Sequence, residues 1–399
     1  MAGALAAGGA LLVSRISFAR TAQSGKSRFV FVILRGALDG LAAVPPYGDR
    51  DYAGLRRELA IHPPGSAGGA LALNGLFGLH PSLGFLQESF ASRALIVFHA
   101  IATPYRERSH FDGQDVLEGG YVRPHAEQTG WLNRALASVP APGADQESGV
   151  ALGQNVPLVL RGPAAVTSWS PSKLAALDDD TLQRITDLYA GEPLLAKRLA
   201  DALAADAVAG TTRDDQGTQE AVRADKPAGR YTELIHATAE FLRREDGPQV
   251  AVFDTTGWDT HANEGGAAGQ LAGRLAALDG GLRTLKEQLG DVWNNTAVLL
   301  VTEFGRTAAV NGTRGTDHGT AAAAFLIGGA VQGGRVIADW PGLSARSLYQ
   351  GRDLKPTLDL RSVLKGLMEE HLHVPTRALE SSVFPDSSGA KPLTGLVRT

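Results

Sequence analysis

Nine polar residues stand just beyond apolar, strand-like runs: Asp39, Ser109, His110, Asp259, His261, Glu303, Arg306, Asp317 and His318. Carboxylates and imidazoles are the ligands of divalent metals where thiolates are absent, and this chain has no cysteine. A mixed oxygen and nitrogen set suits zinc, manganese or iron; an oxygen-dominated one suits magnesium or calcium. A metal beside a hydroxyl lowers its pKa and makes it a nucleophile, the role open to Ser109. A helix starting there would draw an anionic ester through its amide N–H groups and dipole. Arg306 is placed to clamp a non-bridging ester oxygen.

The densest stretch is Thr302-Glu303-Phe304-Gly305-Arg306-Thr307, followed by Gly315-Thr316-Asp317-His318-Gly319. Asp259 and His261 are two apart, so on extended backbone both side chains point the same way. Each residue also has a structural alternative. Asp39 can cap a turn, Ser109 can be an N-cap, and Glu303 and Arg306 can close ion pairs. Asp317 and His318 can form a plain loop turn. Asp112, Asp115 and Glu118 are assigned to a solvated helix face. His62, His125, His236, His371 and His373 show no partnered spacing.

These groups need elements to position them. Continuous apolar runs at 29–34, 94–98, 156–160, 250–254, 296–301 and 324–327 predict buried strands. Helical patterns cover 81–90, a segment opened by Ser109, 170–208, 231–244, 267–289 and 360–372, the last opened by Asp359. Residues 45–80, 140–147 and 211–229 carry turn or loop composition. Strands alternating with helices predict an α/β three-layer sandwich with a largely parallel sheet, and ligands at the strand ends. The chain from 28 to 399 is taken as one domain, with 165–245 a helical cap or insertion.

The chain has 399 residues and a net charge of -4, which gives no electrostatic case for nucleic acid. Missing cysteines exclude disulfides, thiolate metal sites and a cysteine nucleophile. Residues 2–13 are small and apolar but too short to span a bilayer. Ser17-Phe18-Ala19 has the small residues of a signal-peptidase site. Residues 1–27 are therefore expected to be an export signal and linker, although no basic segment precedes the apolar run. No later stretch is long and apolar enough for a membrane helix, so no integral segment is expected in the mature chain.

The motifs LRGALDG (34–40), RSHFDGQD (108–115), GWDTH (257–261), TEFGRT (302–307), GTDHGT (315–320) and GGRVIADWPGL (333–343) occur in order. With them the chain resembles the domain of unknown function 1501 family, over about residues 28–374. That resemblance implies a bacterial protein exported to the periplasm, or secreted, through a twin-arginine signal. The apolar part of such a signal is present and the arginine pair is absent, as for a start placed too late.

The family is similar in turn to the alkaline phosphatase and sulfatase superfamily. The similarity implies an alkaline-phosphatase-like fold, a hydroxyl nucleophile at a helix N-terminus, and Asp and His metal ligands from later strand ends. Asp39, Ser109, Asp259, His261, Glu303 and His318 match that order. Two departures stand out. Asp259 and His261 are two apart instead of four, and Glu303-Phe304 stands where Asp-His is common. Either His110 replaces the lost imidazole or a single metal binds.

The function expected is a metal-dependent hydrolase of phosphate or sulfate esters. One rival is a catalytically silent exported binding or assembly protein that keeps the fold. A metal-free serine hydrolase ranks last, because no G-x-S-x-G is present.

Overall fold

A computed structural model describes residues 26–140, 147–171, 179–189, 191–210 and 227–398. The N-terminal run at 2–19, most of the turn-rich break at 140–147 and most of the polar stretch at 211–229 lie outside the described residues.

In chain order the strands are β1 (Arg28–Leu34), β2 (Leu71–Ala72), β3 (Gly78–Leu79), β4 (Leu95–Ala102), β5 (Gly149–Leu152), β6 (Val166–Trp169), β7 (Val250–Thr255), β8 (Thr296–Val301), β9 (Ala322–Ile327), β10 (Arg335–Ile337) and β11 (Leu358–Asp359). The helices are α1 (Gly40–Ala43), α2 (Tyr52–Arg56), α3 (Gly84–Ala91), α4 (His110–Gly119), α5 (Trp131–Ala137), α6 (Asp179–Tyr189), α7 (Pro193–Gly210), α8 (Pro227–Arg243), α9 (Gln270–Leu289), α10 (Leu360–Leu372) and the short α11 (Thr376–Ala378).

Every residue of β1 is buried, and its side chains alternate between two cores. Val30, Val32 and Leu34 pack with Leu86 of α3, Ile235 of α8 and Leu275 and Leu282 of α9. Phe29, Phe31 and Ile33 face the other way, onto Trp131 of α5 and Val363 and Leu367 of α10. Helices thus cover both faces of the sheet, which is why its strands read as continuous apolar runs. Asp359 accepts from the Arg361 N–H and caps α10, as its position before that helix predicts.

The sheet has nine strands in the order β10-β4-β9-β8-β1-β7-β5-β6, with β11 also on β4. All pairings are parallel except those of β9, which runs antiparallel to both β4 and β8. This reversal matters for the site. The connection from β8 to β9 leaves and re-enters the sheet at one edge, the edge where β1, β4 and β7 also end. Its two arms are bonded together, Gly305 N to Thr320 O at 3.0 Å and Thr307 N to Asp317 O at 2.9 Å. A Cβ on Gly305 would lie 1.8 Å from Ala321 O, so only glycine permits that approach.

Local readings at 156–160 and 81–90 are corrected. Residues Leu158–Leu160 form a 3-10 turn, not a strand. Pro157, which has no N–H to give a ladder, accepts from Leu160 N at 3.0 Å and starts that turn. The strands lie on either side, at β5 and β6. Pro81 stands before α3, which begins at Gly84. The stretch 165–245 supplies the edge strand β6 as well as helices α6 to α8.

Candidate metal centre

Three strand-end connections bring imidazoles and carboxylates together. His110 opens α4, beyond the end of β4. Asp259 and His261 follow β7, and Glu303 follows β8. Asp317 and His318 enter from the N-terminal side of β9, which its antiparallel course puts at the same edge.

Three histidines have the same arrangement. His110 Nδ1 lies 2.8 Å from Glu303 Oε1. His318 Nδ1 lies 3.0 Å from the Arg108 carbonyl oxygen. His261 Nδ1 lies 3.3 Å from Asp317 Oδ1. Each Nδ1 therefore faces an acceptor, the arrangement that offers Nε2 to a metal when the ring proton sits on Nδ1. All three Nε2 atoms turn toward Asp259, at 3.4 Å from His110, 3.2 Å from His318 and 3.0 Å from His261. His261 and His318 also face each other, Nε2 to Nε2, at 3.0 Å. His110 Nε2 is buried with no hydrogen-bond partner. Ligand atoms of His110, Asp259 and His318 all lie within 4.8 Å of one another. Imidazole nitrogens gathered around a carboxylate in this way form a donor set that fits a divalent metal. His261 adjoins the group through Asp259 and His318.

The supporting residues are specific. Glu303 is buried; its Oε1 also accepts from Gly36 N at 2.9 Å and Gln114 Nε2 at 3.1 Å, and its Oε2 from Thr302 Oγ1 at 2.9 Å. Phe304 stacks on the His110 ring at 5.0 Å. Hydrogen bonding to Glu303 raises the His110 pKa, while burial lowers that of His318. Burial alone would raise the Asp259 pKa, but Arg306 and then the three imidazoles bring it below the ordinary value.

Several expected roles change. Asp39 lies outside the group of three ligands. Its Oδ1 caps α1, accepting from Leu41 N at 2.9 Å and Ala42 N at 3.1 Å, and its Oδ2 is ion-paired with Arg56. Glu303 spends its oxygens on His110 and its neighbours and stands outside the group of three. Asp317 likewise orients His261, and accepts from Asn311 Nδ2 at 3.0 Å. Arg306 is no exposed clamp. Its side chain is fully buried, and Nη2 donates to Asp259 Oδ1 at 2.7 Å. Ser109 is the N-cap residue of α4 by backbone geometry, but its side chain makes no capping bond.

Other residues escaped the sequence reading. Glu118 is buried and paired with Arg35 at 2.8 Å, not solvated. His125 does have partners, Asp112 at 3.2 Å and Asp115 at 3.4 Å. Gln114 links His110's support to a cleft: its Nε2 reaches Glu303, and its Oε1 accepts from Arg35 Nη1 at 2.9 Å. The helical period joining His110, Gln114 and Glu118 was the available signal. The cleft has a volume of about 1590 Å³, and Arg35, Gln114, Phe253, Trp258 and Arg274 are among its lining.

A second buried cluster lies beside the imidazoles. Asp39 and Glu264 flank the Arg56 guanidinium, whose Nη2 is 3.5 Å from Glu264 Oε1. Burial and then the Asp39 charge push the Glu264 carboxyl up to about 8. For Asp39 burial is outweighed by Arg56, and its pKa falls. One guanidinium neutralises one carboxylate, and Glu264 is the one that keeps its proton. Nothing in the spacing around Glu264 announced this.

Fold and cluster define an α/β protein with an imidazole–carboxylate centre at the ligand-bearing edge of a mostly parallel sheet. Residues 79–383 match the family described as "Protein of unknown function (DUF1501)", and the chain belongs to that family. Among curated proteins no relative matches. A solved structure titled "Crystal structure of Ps i-CgsB in complex with k-i-k-neocarrahexaose" is similar at a TM-score of 0.37 and 11% identity, over 78% of this chain and 68% of that one. No described helix is long and apolar enough to cross a membrane.

Proposed function

We propose that this chain is an exported metal-dependent hydrolase of phosphate or sulfate esters, related to the alkaline phosphatase and sulfatase superfamily. One observation carries the metal reading: three Nε2 atoms turn toward Asp259 while each Nδ1 faces an acceptor. His110, Asp259 and His318 would hold the ion, with His261 beside them. A divalent ion there supplies Lewis-acid stabilisation of the charge that develops on the ester. Glu303, Asp317 and the Arg108 carbonyl fix the tautomers and ring orientations. Arg306 balances the Asp259 charge from the buried side. Ser109, at the N-terminus of α4 and free of a capping bond, is the candidate attacking group, with the helix dipole favouring an anion in front of it. The cleft lined by Gln114 and Trp258 would take the organic part of the ester.

The buried position of Arg306 supports a second reading, a protein with a metal but no turnover, because that guanidinium is closed off from solvent and paired with Asp259. Assay of the metal-loaded chain with an aryl phosphate and an aryl sulfate separates the two. Turnover lost in His318→Ala supports the hydrolase. Stoichiometric metal with no turnover of either ester supports the silent protein.

A further inference from the structure

Two loops carry most of the metal-site residues: 257–264 bears Asp259 and His261, and 311–318 bears Asp317 and His318. Their backbones are joined by Asn263 N to Thr313 O at 3.0 Å, Glu264 N to Arg314 O at 3.0 Å and Thr316 N to Thr260 O at 3.2 Å. A Cβ on Gly315 would lie 2.4 Å from the His261 carbonyl, so the loops meet without a side chain between them.

One side chain then ties both loops. Glu264 is wholly buried, and its Oε2 accepts from Thr260 Oγ1 at 3.0 Å and from Thr316 Oγ1 at 2.8 Å. Thr260 sits between Asp259 and His261; Thr316 stands just before Asp317 and His318. Arg56, also wholly buried, lies against the other Glu264 oxygen, pairs with Asp39 after β1, and donates from Nη1 to Thr307 O at 3.2 Å, one residue beyond Arg306. The cluster therefore reaches both loops that carry His261 and His318, together with the segment of Arg306, and its bonds go to none of the imidazoles themselves.

We propose that Glu264, braced by Arg56, is a positioning residue that sets the spacing of Asp259, His261 and His318. Two Thr hydroxyls converging on one carboxylate oxygen fix the distance between the loops to within a hydrogen bond's tolerance. Metal affinity depends on ligands held to within a few tenths of an ångström. This inference rests on the metal reading above.

The test uses the full chain and three measurements: zinc affinity against a chromophoric chelator, the visible spectrum of the cobalt-loaded form, and amide hydrogen exchange of the metal-free form. The double variant Thr260→Val with Thr316→Val removes the two hydroxyls and keeps the side-chain shape. It should bind zinc about 10- to 100-fold more weakly, as loss of a ligand-orienting contact does. Its cobalt bands should shift, and exchange should quicken in 257–264 and 311–318 but not in β1 or β8. Glu264→Gln, which keeps an amide oxygen for both hydroxyls, should recover most of the affinity. Wild-type affinity, spectrum and exchange in the double variant would overturn the inference. If the double variant fails to fold, Thr316→Val alone is judged by the same measurements. A wild-type chain that takes up no zinc rejects the functional reading instead. Exchange in the metal-free chain then decides the positioning role: quickening in both loops supports it, and no change overturns it.

Discussion

His261 and His318 face each other through their Nε2 atoms at 3.0 Å, while both Nδ1 atoms are turned to acceptors. Neutral imidazoles in these tautomers would oppose two lone pairs at hydrogen-bonding distance. A metal ion beside both rings, or a proton shared between the two Nε2 atoms, accounts for the approach, and Asp259 next to both rings would be the counter-charge.

Glu303→Gln leaves an acceptor for His110 Nδ1 but removes the charge that holds it. Zinc affinity should fall by about 10- to 100-fold, the usual range for a carboxylate supporting a ligating histidine. The fold should survive, since Gln can still accept from Gly36. A chelator competition assay checks this; unchanged affinity would remove Glu303 from the centre.

Ser109→Ala separates nucleophile from cap. A lost capping hydrogen bond costs about 1 kcal/mol, but Ser109 makes none, so the melting temperature should barely move. Turnover should vanish while bound metal stays. Retained turnover would leave direct metal-assisted hydrolysis and end the covalent route.

Stability should fall as pH rises through neutrality. Glu264 holds its proton up to about pH 8 in the folded chain but loses it near its ordinary carboxylate pKa when unfolded. Between these values the native state binds more protons, so each step up in pH favours unfolding. Asp39 acts oppositely and at acid pH, where its lowered pKa gives stability that is lost as pH falls. Urea unfolding from pH 5 to 9 should therefore show a decline that Glu264→Gln flattens. An equal slope in both chains would contradict the protonated Glu264.

Metal should stabilise the fold by mass action, by about 2.7 kcal/mol when free metal is a hundred times its Kd. The melting temperature should thus climb with zinc in the wild-type chain and stay flat in His318→Ala. A rise of equal size in both would place the ion elsewhere.

Much of this centre was legible in the sequence. His110, Asp259, His261 and His318 each stand beside an apolar run, and a mostly parallel sheet gathers such positions at one edge. The reversed strand was not legible: 324–327 has the same apolar composition whichever way it runs, yet only its antiparallel course keeps both arms of the β8–β9 connection at the site. Asp39 misled because a carboxylate after the first strand looks alike whether it meets a metal or Arg56. That partner lies seventeen residues on, in a loop-like stretch with no period to mark it. Glu264 was missed for the same reason. Its role comes from two threonines that only the fold brings together.

The most direct test of the centre is X-ray absorption on the zinc-loaded full chain. Scattering from two or three imidazole nitrogens and a carboxylate oxygen at roughly 2.0–2.2 Å, with one zinc per chain, is the result expected from His110, Asp259, His318 and the adjoining His261. Zinc that shows no imidazole scattering, or no zinc retained at one per chain, would contradict it.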